Sequence, residues 1–113
     1  MATLSIERAT SGYTAAITDT TSTTVIAAPG AGRRLVITDV LVTNGHATQG
    51  TRVDLLDGAT VRFTGFAKSD GGGFNLKLEA PIVCAANAAF KAQCGTTGSS
   101  VYVSASGYID TAV

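Results

Sequence analysis

The sequence predicts an all-β domain, an antiparallel sandwich or barrel of about eight strands. Short runs rich in valine, isoleucine and threonine alternate with polar residues along most of the chain. Turns containing glycine or asparagine separate these runs at close spacing. No segment holds a helical period. Residues 85–92 contain helix formers, but Asn87 and the alternation of Phe90, Ala92 and Cys94 favour a strand. At 113 residues the chain is one domain, read as an N-terminal arm, residues 1–22, and a β-sandwich, residues 23–113.

The arm is polar and rich in threonine and serine. Leu4 and Ile6 alternate with Ser5 and Glu7, a possible short strand. Tyr13, Ala15 and Ile17 alternate with Thr14, Ala16 and Thr18, a second, and Gly12 separates the two. Such an arm either closes the domain's own sheet or reaches a neighbour. Residues 23–28, TTVIAA, form an apolar strand, and residues 29–32, PGAG, a turn. Residues 33–44, RRLVITDVLVTN, are the longest β-branched and aliphatic run and form the central strand. Strict alternation would put Asp39 on one face with Leu35, Ile37 and Leu41. One extra residue at Thr38-Asp39, a β-bulge, instead gives Leu35, Ile37, Val40 and Val42 a common face; the alternative is a flat strand buried on both faces with Asp39 paired.

Residues 44–50, NGHATQG, read as a polar loop with a solvated histidine. Residues 51–66 form a hairpin. A three-residue loop, Leu56-Asp57-Gly58, pairs Leu55 with Ala59, Val53 with Val61 and Thr51 with Phe63, which gathers the apolar set on one face. Asp54 and Arg62 then become diagonal neighbours on the other. Residues 68–73, KSDGGG, read as a flexible loop, with no phosphate-loop motif after it. Phe74, Leu76 and Leu78 alternate with Asn75, Lys77 and Glu79, a strand buried on one face. Pro81 ends regular pairing, residues 82–84 form a short apolar run, and residues 85–87 turn the chain. Residues 95–98, GTTG, read as a hairpin loop between the strand holding Phe90, Ala92 and Cys94 and the last strand. In that last strand Val101, Val103 and Ala105 alternate with Tyr102, Ser104 and Ser106, and residues 107–110 complete it.

Eight basic and eight acidic residues give zero formal net charge, which weighs against a nucleic-acid binder. Charged residues are 14% of the chain, well under the roughly 25% of an ordinary soluble domain. So little charge points to a surface partly hidden in an assembly. No apolar run approaches the roughly 18 residues of a membrane helix, and the first residues lack the pattern of a secretion signal. The expected origin is a cytoplasm, where Cys84 and Cys94 are reduced. If residues 82–84 and 88–94 pair across the 85–87 turn, the two cysteines also lie too far apart to bridge. With His46 alone as a nitrogen ligand they make no metal site, and no cofactor is expected. Serine, histidine and aspartate are all present, but nothing groups them into a catalytic set, so the chain reads as a non-enzyme.

Several strings together carry a resemblance: residues 26–34 (IAAPGAGRR), VITDVLVTN, LLDG, GGGFNLKLEAP and VYVSASGY. As a set they resemble tailed-bacteriophage capsid cement or decoration proteins, over about residues 23–108. The resemblance implies a jelly-roll-like β-sandwich that binds and stabilises the outside of a phage capsid. It implies a homo-oligomer, a trimer or else a dimer, partnered by the shell of the major capsid protein. It also implies residence on the virion, with no catalytic residues, nucleic acid or membrane. The residues expected to touch the partner lie in the arm: Leu4, Ile6, Tyr13 and Ile17. The alternative is a carbohydrate- or receptor-binding sandwich of a phage fibre or tail, with Tyr13, Tyr102 and Tyr108 available to stack on sugars.

Overall fold

The computed structural model describes residues 6–111. Eight strands follow in order: β1 (Ile6–Tyr13), β2 (Thr23–Ile26), β3 (Arg33–Asn44), β4 (Thr51–Asp57), β5 (Thr60–Ala67), β6 (Gly73–Val83), β7 (Phe90–Cys94) and β8 (Val101–Thr111). They form two four-stranded sheets, β1-β8-β3-β6 and β2-β7-β4-β5. Every ladder is antiparallel, and β1 pairs β8, β2 pairs β7, β3 pairs β6 and β4 pairs β5. The chain is thus one long hairpin that folds back at β4/β5 and is rolled up, the arrangement of a jelly roll.

Alternation along the strands fills the space between the sheets. Leu35, Ile37, Val40 and Val42 of β3 meet Val53 and Leu55 of β4, Phe90 and Ala92 of β7, and Val101 and Val103 of β8 in one buried cluster. Phe63, Phe74, Leu76 and Leu78 pack against its margin. The β3 bulge is where the buried pattern requires it. The registers with both β6 and β8 shift between Ile37 and Asp39, and against β8 Thr38 is the extra residue. On the far side of β3, β6 leaves the ladder after Lys77 and rejoins it at Ile82, so residues 78–81 bow away around Pro81. Proline has no N–H to give a ladder, so it interrupts the pairing without ending the strand.

The hairpin differs from the sequence expectation. Asp57 pairs with Thr60 around a two-residue loop, Gly58-Ala59, and the extra residue is Arg62, between Val61 opposite Leu56 and Phe63 opposite Leu55. Gly58 takes a φ of +60°, the first central position of a type II′ turn, which matches the twist of the flanking strands. The observed register bulges β5 and brings Phe63 opposite Leu55 and Ala67 opposite Thr51 on the core side, while Val61, opposite Leu56, and Phe66, opposite Arg52, are exposed. Arg62 consequently reaches Asp57, at 3.2 Å, and not Asp54, whose partners are Arg52 at 3.3 Å and the Thr64 hydroxyl at 2.8 Å.

Three other local expectations are corrected. Residues 95–98 do not close a hairpin: β7 and β8 belong to different sheets, and the segment crosses between them. The 68–73 loop is tied down, with Asp70 N–H donating to His46 O, Gly71 N–H to Asn44 O, and Asn44 N–H to Gly72 O. In the arm, β1 is a single strand through Gly12 and forms the edge of the domain's own sheet. A Cβ at Gly12 would clash with Val25 O, so glycine lets β1 press onto β2 at the corner where the two sheets meet.

Candidate binding surfaces

The outer face of the β1-β8-β3-β6 sheet carries two rows of side chains that cross all four strands. Register places Tyr13, Ser104, Leu41 and Asn75 in one row. Ser11, Ser106, Asp39 and Lys77 form the next. Small serines on β8 lie between larger residues on its neighbours, so the face is a trough of about 760 Å³. Tyr13 is 77% exposed at its rim, and Leu41 and Tyr102 are also exposed. The bulge at Thr38 is what turns Asp39 to this face, and the Thr38 hydroxyl donates to Asp39 Oδ2 at 3.0 Å.

The opposite sheet ends in β5, which has a ladder partner on one side only. Val61 and Phe66 on this edge strand are 50% and 73% exposed. Arg62 donates to Val83 O at 3.0 Å, which places the exposed Val83 beside it. Asp57 accepts from Ala85 N–H through both carboxylate oxygens, at 3.1 and 3.0 Å. The charges along this edge therefore serve local structure, while the apolar side chains face solvent.

Of the residues expected to touch a partner, Tyr13 and Ile17 are not brought together. Leu4 lies outside the described residues. Ile6 opens β1, its backbone opposite Asp110. Tyr13 is exposed beside the trough, whereas Ile17 bridges to Val101 and is 3% exposed in the core. Ile17 therefore presents no surface in the folded domain. Leu41, Asp39 and Asn75 come to share a surface only through the strand order of the β1-β8-β3-β6 sheet, and Phe66 lies on the opposite sheet.

His46 lies apart from the trough. Its Nδ1 accepts from Thr48 N–H at 3.1 Å and Gln49 N–H at 2.9 Å, so the imidazole shapes its own loop. Both cysteines are unlinked and buried. Burial pushes the Cys84 thiol up to about 12, and Asp57 adds to the effect. Burial raises the Cys94 thiol as well, against a smaller opposing pull from Ser99. A thiol held protonated is a poor nucleophile and a poor metal ligand. Among the described residues, no group of three or more His, Cys, Asp or Glu side chains could hold a metal ion. Also among them, no helix is long and apolar enough to cross a membrane. No protein-family model matches the chain, and neither a curated protein nor a solved structure shows a match.

Proposed function

We propose that this chain is a structural virion protein that binds and stabilises the outside of a phage capsid as a symmetric oligomer, a trimer or else a dimer. Made in the host cytoplasm, it acts by contact and not by chemistry. The observation that carries this reading is the β5 edge. Natural sheets protect their edges with charge, proline or a covering element. Here an eight-residue edge strand carries one charged side chain, Arg62, and exposes Val61 and Phe66. Fully burying one such side chain is worth about 1.5–3 kcal/mol, so a single edge is a weak contact. Several edges held in one ring act together, since each contact after the first is intramolecular. The low charge of the whole chain and the string resemblance to capsid decoration proteins support the same reading.

Light scattering after gel filtration measures the oligomer, and co-sedimentation with emptied phage heads measures binding. The expected result is a closed oligomer whose binding changes little between low and moderate salt, because steering by charge contributes little. Phe66→Lys and Val61→Lys leave the fold intact and weaken assembly at least about tenfold, the loss of roughly one buried apolar side chain. A monomer at micromolar concentration, or a steep fall in binding with salt, overturns the reading.

A further inference from the structure

We propose that the trough on the outer face of the β1-β8-β3-β6 sheet is a binding site for a neutral pyranose oligosaccharide. This does not rest on the capsid reading, since it concerns the sheet opposite the β5 edge and would hold for a fibre or tail module equally.

Shape comes first. Adjacent strands lie about 4.8 Å apart, so Tyr13 on β1 and Leu41 on β3 stand about 10 Å apart with only Ser104 between them. That gap accepts one sugar ring with its hydroxyls. Along the strands the trough continues past Ser106 to the row holding Asp39, two residues or about 7 Å further on. It is therefore long enough for a second ring.

Chemistry then selects the ligand. A pyranose has an apolar C–H face and an equator of hydroxyls that both donate and accept. Tyr13 offers a largely uncovered aromatic ring, which suits the apolar face. Asp39 offers acceptors, Asn75 a donor and an acceptor, and the serines both. A patch built only for another protein's core would not need this mixture. The Asp39 carboxylate is held from behind by the Thr38 hydroxyl at 3.0 Å, which leaves further lone pairs to accept from a ligand. Lys77 stands opposite it in register on β6, at the margin of the trough. Among the described residues, Asp39 is the one charged residue lining the trough, so an acidic ligand gains nothing there.

The test is a titration of ¹⁵N-labelled protein, followed by amide shifts, with maltotetraose, cellotetraose and chitotetraose, and with a tetragalacturonate as the acidic control. At least one neutral sugar is expected to give saturable shifts confined to residues 11–13, 39–41, 75 and 104–106. Tyr13→Ala and Asp39→Asn each weaken that binding at least about tenfold, the loss of one stacking or one charge-assisted contact. Phe66→Ala, on the other sheet, leaves it unchanged. Dispersion of the same spectra reports that each variant is folded. The proposal is overturned if none of the three neutral sugars shifts the trough, if the acidic control binds as well, or if Tyr13→Ala has no effect. It is also overturned if the same amides shift on raising protein concentration without sugar, which marks the face as a contact between copies.

Discussion

Replacing Asn44 with alanine should destabilise the domain by about 3–5 kcal/mol, and the arithmetic comes from its bonds. Asn44 is fully buried. Its Nδ2 donates to Gln49 O at 2.7 Å and Ala67 O at 3.2 Å. Its Oδ1 accepts from His46 N–H at 3.1 Å and Ser100 N–H at 3.2 Å. One side chain thereby joins the end of β3 to the following loop, to the end of β5 in the other sheet, and to the entry of β8. Each such bond is worth about 1 kcal/mol net, which gives about 4 kcal/mol for the set. The stranded carbonyls and N–H groups add to this, and water entering the vacated space offsets part of it. Urea unfolding followed by circular dichroism at neutral pH reads the change directly, provided the slope of free energy against urea is unaltered. Asn44→Asp is the companion variant. It keeps the acceptors but turns a carboxylate onto two carbonyl oxygens, so its loss should at least equal that of alanine near pH 7 and shrink in acid, where the protonated carboxyl can donate once. A loss below about 1 kcal/mol for Asn44→Ala would refute the reasoning, because it would mean that the four partners find water at no cost.

Ile17→Ser should cost about 2–4 kcal/mol in the same assay, whereas Tyr13→Ser should stay within about 0.5 kcal/mol, because the first side chain is core and the second is surface. Neither cysteine should react with a thiol reagent such as DTNB at pH 8 until urea unfolds the chain, and the intact mass should be that of two free thiols. The folded state holds the Cys84 proton to about 12 while the unfolded chain releases it near 9.0, so this contribution to stability is whole below pH 9 and fades as pH rises from 9 towards 12. The slope is about 1.4 kcal/mol per pH unit, and Cys84→Ala should flatten it.

Where a residue's role depends on its own strand, the sequence was informative. Asp39 amid Leu35, Ile37 and Leu41 fits a flat strand only if it is paired within the core, and that conflict favoured the bulge at Thr38-Asp39, which the structure has. The hairpin was less determined. A three-residue loop keeps Val61 and Phe63 on one face, whereas the extra residue at Arg62 turns Phe63 to the core and leaves Val61 exposed, a choice that alternation within one strand does not decide. Asn44 looked like the first residue of a polar loop because its partners are main-chain atoms of Gln49, Ala67 and Ser100, which no side-chain pattern advertises. The trough was hidden for a related reason: its rows draw one residue from each of four strands, and strand order in a rolled sheet is not written in alternation.

The rolled hairpin also sets an order of events. Among the described residues, only β4 and β5 pair with a neighbour in sequence, and every other ladder joins strands far apart along the chain. Such long closures make for slow folding, begun from the one local hairpin. β8, the last strand, lies between β1 and β3 in the middle of its sheet. A ribosome that has delivered everything up to Ser100 has therefore made a chain with two open edges where a ladder should be, and without the serines that floor the trough. The half-made chain exposes strand edges that invite wrong pairing. The same placement makes closure of the first sheet wait for β8: a product cut before Val101 leaves β1 and β3 without the strand that joins them.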